Sequence, residues 1–336
     1  MTTRRPSFIC AAVLAGLTIL SAARSLSAEE RTQTDADVRA VITRSLPFIE
    51  EQGEWWIEEK KCITCHRIGL MTWSFTEAAR RGFAVDAAKL DGWIDWTLTK
   101  SLSQNKQEGT IAGEKNLDGV AQLLMGREQN VSSPKRKESY ALLVKLLVEG
   151  QADDGAWAPG GQLPRQKRPA TETTEVSTIW NALALAGIDD PSSETRSVVQ
   201  RASERLTLSE SGKSAEWYAT RLLFAATTDE PDGRNAWLKR LRSVQNDDGG
   251  WGWIAGESSD ALATGLSLYA LCQSGVATND RAIQSARQFL VETQRDDGSW
   301  AVLGTKRTEK DSIEETSTYW GTAWATIGLL QTLPLK

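Results

Sequence analysis

The 336-residue sequence is poor in metal-binding residues and in long apolar runs. It has four cysteines and a single histidine, His66, so a site built from several histidines of one chain is excluded. After the first twenty residues, no apolar stretch is long enough for a transmembrane helix. The formal net charge is −5 at pH 7, which makes nucleic acid a poor partner.

The N-terminus predicts export. Two arginines precede an apolar run over residues 8–20, and small residues follow up to Ala28. A basic start, a short apolar stretch and small residues are typical of a secretory signal peptide. We therefore expect a signal peptide over 1–28, a single domain over 29–336 without a transmembrane anchor, and a periplasmic location.

The sole histidine lies in the run Cys62-Ile-Thr-Cys65-His66. Cys-x-x-Cys-His is the attachment sequence for c-type haem, in which two thiols form thioethers and the adjoining imidazole binds the iron. The run predicts one covalent haem c at Cys62, Cys65 and His66, with His66 as the proximal ligand. A redox-active disulfide is the alternative, because Cys-x-x-Cys is also its usual form. Zinc would need two further good ligands, and no second histidine exists.

The sixth iron position has one internal candidate. Met125 lies in a predicted buried helix of the following repeat and could reach the iron as a thioether. Core packing is the competing interpretation of Met125, since methionine commonly fills apolar interiors. Without Met125, the iron would be open or would bind water, a lysine or a group from a partner.

The chain repeats one turn, Gln-x-Asp-Asp-Gly-x-Trp, three times. Its copies are 151–157, 245–251 and 294–300. The last two glutamines are 49 residues apart and the first two are 94 apart, so a decayed copy is expected between them. The period predicts weaker copies at 52–55, 104–109 and 208–213. Six units result, numbered one to six along the chain.

Each unit predicts two helices of different character. The first has apolar residues at three- and four-residue spacing, as at Val38, Val41, Ile42 and Ile49, and is therefore amphipathic, with one face exposed to solvent. The second, such as 177–186, is apolar almost all round and must be covered on every side. Six amphipathic helices around six buried ones predict an all-α fold, a single α6/α6 toroid. The haem motif at 62–66 lies inside unit one.

The three turns resemble the repeat of terpenoid cyclases and protein prenyltransferases, such as squalene–hopene cyclase. The resemblance covers nearly all of the chain after the signal peptide, and it implies an α/α toroid with a cavity that can hold a hydrophobic ligand. The chemistry departs from the family. The Asp-x-Asp-Asp cluster with which class II cyclases protonate their substrate does not occur, and His66 is the only histidine for a prenyltransferase zinc site.

Carboxylates recur where the inner helices begin. Glu175 and Glu315 occupy matching positions in units three and six, and Glu257 and Asp260 form a looser copy in unit five. Units three and six are opposite in a six-membered ring, so we expect Glu175 and Glu315 to face each other across the cavity. These four are the candidate catalytic residues, with helix capping as the competing interpretation.

The leading hypothesis is an exported c-type haem protein that performs electron transfer or redox chemistry at a haem facing the cavity, with a periplasmic redox partner. A haem-dependent, peroxidase-like enzyme acting on a hydrophobic or polymeric substrate is a second hypothesis. A terpenoid cyclase or prenyltransferase-like enzyme is a third, weakened by the missing motifs. A haem-based sensor or binding module is a fourth.

Overall fold

The computed structural model describes residues 34–61, 67–105, 109–161, 163–208 and 212–336. Twelve α-helices make up nearly all of the regular structure there. They are α1 (Asp35–Trp55), α2 (Ile68–Arg80), α3 (Ala87–Ser101), α4 (Leu117–Met125), α5 (Pro134–Glu149), α6 (Ala170–Ala186), α7 (Ser193–Thr207), α8 (Ala215–Thr227), α9 (Pro231–Ser243), α10 (Ala261–Gln273), α11 (Arg281–Thr293) and α12 (Glu315–Gln331). A π-helical turn (Trp56–Lys60), two 3-10 turns (Ala112–Lys115 and Leu163–Arg165) and an antiparallel pair of two-residue strands, β1 (Gln104–Asn105) and β2 (Thr110–Ile111), complete the list.

The even-numbered helices form a closed inner ring. Each packs against the next along the chain, and α12 packs against α2. The odd-numbered helices lie outside, where α11, for example, buries a single stripe that includes Ile283 and Leu290. The inner α12 buries nearly every residue along its length. The predicted all-α fold, an α6/α6 toroid, is confirmed.

The repeated turn joins neighbouring units through side-chain hydrogen bonds. Gln151 Nε2 donates to the Gly155 carbonyl at 3.0 Å and to the Val198 carbonyl of α7 at 2.9 Å. Gln245 and Gln294 repeat this pattern, and Gln294 donates to the Val41 carbonyl of α1 at 2.9 Å. The turn of unit six therefore closes the ring onto unit one.

The tryptophan and the glycine of each turn stabilise the same connection between neighbouring outer helices, which we call a joint. Trp300 is buried, and its Nε1 donates to the Leu290 carbonyl at 2.9 Å. Gly298 has φ +82°, and a Cβ at this position would collide with the Arg44 carbonyl of α1. Only glycine combines this backbone conformation with such a close approach.

The weaker copies of the turn have different structures. Residues 52–55 lie inside α1, so the turn expected there is wrong: the helix continues to Trp55 without a glycine at positive φ. Gln104 lies in β1. The copy at 208–213 falls partly outside the described residues.

The structure does not test the predicted signal peptide, because residues 1–28 lie outside the described part of the chain. The boundary between 1–28 and 29–336 stays a prediction. Within the ranges given above, no helix combines the length and the apolar character needed to cross a bilayer.

Candidate functional site

An aromatic cluster fills the axis of the inner ring. Trp180 of α6 and Trp324 of α12 stack with ring centroids 5.6 Å apart. Trp73 of α2 meets Trp324 edge-on at 5.3 Å and Tyr269 of α10 at 5.4 Å. Because these rings come from four inner helices, the aromatic cluster ties the ring together across its centre.

A cavity of about 480 Å³ lies above the aromatic cluster, where the inner helices end. We call it the central cavity. Trp73, Leu183, Leu223 and Tyr269 supply its apolar surface. Its volume falls in the range of about 300–1,000 Å³ that is typical of small-molecule sites.

A hydrogen-bonded network forms the polar rim of the central cavity. Glu77 accepts from Arg80 at 2.6 Å and from Gln331 at 2.9 Å, and it also pairs closely with Arg81. The Gln331 side-chain oxygen accepts from Arg81 at 2.9 Å and from Gln273 at 2.8 Å. Three inner helices, α2, α10 and α12, contribute to this network. Glu77 therefore acts in it as a hydrogen-bond acceptor between two guanidinium groups.

The two predicted carboxylates Glu175 and Glu315 each bind an arginine. Glu175 accepts from Trp217 Nε1 at 2.7 Å and from Arg221 at 3.4 Å. Glu315 pairs closely with Arg67, and its side chain is 62% exposed. Neither residue lines the central cavity. These contacts correct the expectation that the two carboxylates face each other across it, since each is turned toward its own cationic partner.

Glu257 and Asp260 both hold local structure. Glu257 forms an ion pair with Lys167 at 2.6 Å. Asp260 caps α10, where one carboxylate oxygen accepts from the Ala263 amide and the other from the Trp253 amide, each at 2.8 Å. Burial raises the pKa of Asp260 to about 6, although these amides lower it in part. Helix capping is thus what the structure shows for Asp260.

The predicted haem ligands cannot be placed. Cys62, Cys65 and His66 lie outside the described residues. Met125 ends α4 and lines the central cavity. Its predicted role as an iron ligand is not tested by this position.

Sequence reasoning missed the rim residues Glu77, Arg80 and Gln331. The predicted carboxylates lie at helix starts, where capping residues are easily recognised, whereas the central cavity opens at the helix ends. One signal was available: Glu77, Arg80 and Arg81 lie at the C-terminal end of an inner helix that is otherwise mostly apolar and buried. Three charged residues at such a position indicate a partner network or a site.

The sequence is similar to terpenoid enzymes, although no family model matches it. It is 36% identical to a drimenyl diphosphate synthase of Streptomyces showdoensis over 167 residues, which are 50% of this chain and 24% of the relative. It is 42% identical to a drimenyl diphosphate synthase of Streptantibioticus cattleyicolor over 60 residues, 18% of this chain and 11% of the relative. The matched part thus spans a quarter or less of each relative.

Solved structures share the toroid at low sequence identity. A type II terpene cyclase from Scytonema, in complex with geranylgeranyl dihydroxybenzoate, superposes with a TM-score of 0.54 at 16% identity, covering 89% of this chain and 98% of that one. A possible GH105 family member from Salmonella enterica gives 0.57 at 14%, covering 89% and 94%. An unsaturated glucuronyl hydrolase from Streptococcus agalactiae gives 0.55 at 11%, covering 89% and 92%. These likenesses concern the fold alone.

The comparisons overturn the leading hypothesis. Both sequence relatives are diphosphate synthases of terpenoid type, not cytochromes. The predictions of a cytochrome c function, of electron transfer and of a covalent haem c are therefore wrong. The redox partner was predicted only because of the haem, so nothing supports that prediction either. The chain is an α/α toroid whose sequence is similar to part of the drimenyl diphosphate synthases and whose fold is shared with a terpene cyclase.

Proposed function

We propose that the central cavity binds an isoprenoid hydrocarbon, as part of a terpenoid cyclase-like function. The observation that carries this proposal is the 36% identity to a drimenyl diphosphate synthase over half of the chain. The toroid of the Scytonema cyclase, which holds geranylgeranyl dihydroxybenzoate, agrees with it at the level of the fold.

The surface of the central cavity suits such a ligand. Trp73 and Tyr269 present aromatic rings, and Leu183 and Leu223 add aliphatic surface. Hydrocarbon buried against these side chains would contribute about 25 cal/mol for each Å² of apolar surface removed from water.

The rim would orient the polar end of the ligand. Arg80 and Arg127 both line the central cavity. Arg127 donates to the Gly187 carbonyl at 2.7 Å, which fixes its guanidinium beside the end of α6. A ligand with a polar head at the rim and its tail on the aromatic cluster matches this division of the surface.

The proposal concerns binding rather than proton transfer. Glu77, the buried carboxylate of the central cavity, is ion-paired with Arg80 and Arg81 and serves as an acceptor. Asp189, which also lines the cavity, is exposed to solvent. Neither arrangement holds a carboxylic acid against the apolar surface.

Titration of the purified full chain with farnesol, followed by tryptophan fluorescence, tests the proposal. We expect saturable quenching, and we expect Met125→Trp to weaken farnesol affinity at least tenfold, because the larger side chain fills the cavity. Leu142→Trp is the matched control, since Leu142 is 45% exposed on the outer helix α5. This variant should bind farnesol as the parent protein does.

Two results would contradict the proposal. One is equal farnesol binding by the parent and by Met125→Trp, which would place the ligand elsewhere. The other is saturable binding of an unsaturated glucuronyl disaccharide without binding of farnesol. Incubation with farnesyl diphosphate and analysis of the extracts by mass spectrometry then asks whether bound isoprenoid is also cyclised.

A further inference from the structure

The fourth unit lacks the tryptophan of the repeated turn. Where the intact turns read Gly-x-Trp, unit four reads Gly212-Lys213-Ser214. In an intact turn the indole Nε1 donates to the carbonyl of a buried leucine near the end of the preceding outer helix, at 2.8 Å for Leu147 and at 2.9 Å for Leu241. Ser214 brings no indole, so the corresponding carbonyl of unit four requires another donor.

An arginine of the inner helix supplies this donor. Leu206 lies near the end of α7, and its carbonyl accepts from Arg221 Nη1 of α8 at 3.0 Å. Arg221 is only 8% exposed. Its Nη2 makes a long bond of 3.4 Å to a Glu175 oxygen that also accepts from Trp217, and its Nε has no acceptor among the described residues. The buried positive charge of Arg221 is therefore only partly balanced.

A groove of about 400 Å³ lies beside Arg221, between α7, α8 and α9. We call it the unit-four groove. Phe224 and Trp237 give it an aromatic surface, and Arg221 and Arg240 bring two positive charges to it. Its volume falls in the range of about 300–1,000 Å³ that is typical of small-molecule sites. Among the described residues, none lines both the unit-four groove and the central cavity.

The second guanidinium of the unit-four groove is available to a ligand. Arg240 is exposed and stacks on the Trp237 ring, with its Cζ 4.5 Å from the ring centroid. No carboxylate in the described part of the chain binds it. Stacking occupies one face of a guanidinium and leaves the N–H groups in its plane free to donate. These N–H groups match the two oxygens of a carboxylate.

Charge is divided along the unit-four groove. Glu230, an acidic residue of its lining, precedes α9, whereas Arg240 lies in the last turn of that helix. Ten residues of helix separate their backbones by about 15 Å. The Thr228 hydroxyl donates to Glu230 at 3.1 Å. An anion at the end marked by Arg240 would thus meet positive charge without approaching Glu230.

We propose that the unit-four groove binds a small aromatic carboxylate, with its ring on Trp237 and Phe224 and its carboxylate bound by Arg240 beside the buried charge of Arg221. A flat ring suits this surface because aromatic side chains pack favourably with a second aromatic ring. The site is separate from the central cavity, so it does not depend on the isoprenoid binding proposed above.

Isothermal titration calorimetry of the full chain with indole-3-acetate tests the proposal. We expect saturable binding at one site. Neutral indole-3-acetamide keeps the ring and loses the charge, so it should bind about tenfold more weakly. Arg240→Gln should weaken binding of indole-3-acetate about tenfold and should remove the preference for the acid. Lys239→Gln is the matched control, because Lys239 is an exposed neighbour on the same helix that does not line the groove.

Two tryptophan substitutions locate the bound acid. Ser203→Trp fills the unit-four groove from α7 and should abolish binding of indole-3-acetate, whereas Met125→Trp fills the central cavity and should leave the affinity unchanged. Loss of binding in Met125→Trp would place the acid in the central cavity and overturn the proposal. Equal affinity for acid and amide, an unchanged affinity in Arg240→Gln, or no saturable binding by the parent protein would overturn it as well.

Discussion

Neighbouring outer helices are joined in two different ways. In units three, five and six, the glutamine of the turn donates from a half-buried position to a carbonyl of the next outer helix. Between α1 and α3 and between α3 and α5, exposed ion pairs take that place. Lys89 binds Glu50 at 2.5 Å and Glu54 at 3.1 Å, and Arg136 binds Asp91 and Asp95 at 2.7 Å each.

The difference explains why the turn can decay without loss of the toroid. The toroid needs a contact between each pair of neighbouring outer helices, and ion pairs on the surface can supply part of that contact. The two kinds of joint respond to different conditions, however. Hydrogen bonds from a turn packed around a buried tryptophan are insensitive to salt, whereas exposed ion pairs are screened by it.

The largest effect is expected at the tryptophan of an intact turn. Trp300→Ala would leave a large buried volume unfilled and would remove the hydrogen bond to Leu290. The free energy of unfolding should fall by about 3–5 kcal/mol, as measured by urea denaturation. Trp96, on the outer helix α3 and only partly buried, is the control. If Trp96→Ala costs as much, the turn has no special part in holding the ring.

A smaller loss is expected at the glycine of the same turn. Gly298→Ala forces a side chain into positive φ and against the Arg44 carbonyl, and should cost about 1–3 kcal/mol. Gly92→Ala offers a contrast inside α3, where an added Cβ meets nothing within 4 Å. That variant should gain about 0.5–1 kcal/mol from helix propensity. Thermal unfolding of both variants measures the opposite signs, and equal signs would contradict this account of the turn.

The smallest effect is expected at an ion-paired joint. Arg136→Met should lower the free energy of unfolding by about 1 kcal/mol or less, because its partners are exposed. The loss should shrink further in 1 M salt, where the screening length is about 3 Å. Gln294→Ala, measured beside it, should lose the same stability at both salt concentrations. A salt-independent loss in Arg136→Met would remove the distinction between the two joints.

The fold could be predicted from the sequence because the patterns that specify it are local and repeated. Each turn encodes its own glycine conformation and its own tryptophan, and apolar periodicity separated inner from outer helices. The site was not readable, because its partners are distant in sequence. Glu315 is paired with Arg67, 248 residues away, and Gln331 binds Glu77, 254 residues away. No spacing rule predicts such pairs, so the sequence gives no sign that Glu175 and Glu315 each bind an arginine instead of facing each other.

The bond from Gln294 to the Val41 carbonyl has a kinetic consequence. It spans 253 residues, whereas the corresponding bond of Gln151 spans 47. Contacts of such separation carry a larger loop-closure entropy, and they slow folding where they are needed early. The joint between units six and one should therefore form last, after the other inner helices have docked. A fluorescent pair placed across this joint would report the final step of folding, and its slowest phase should coincide with recovery of the central cavity.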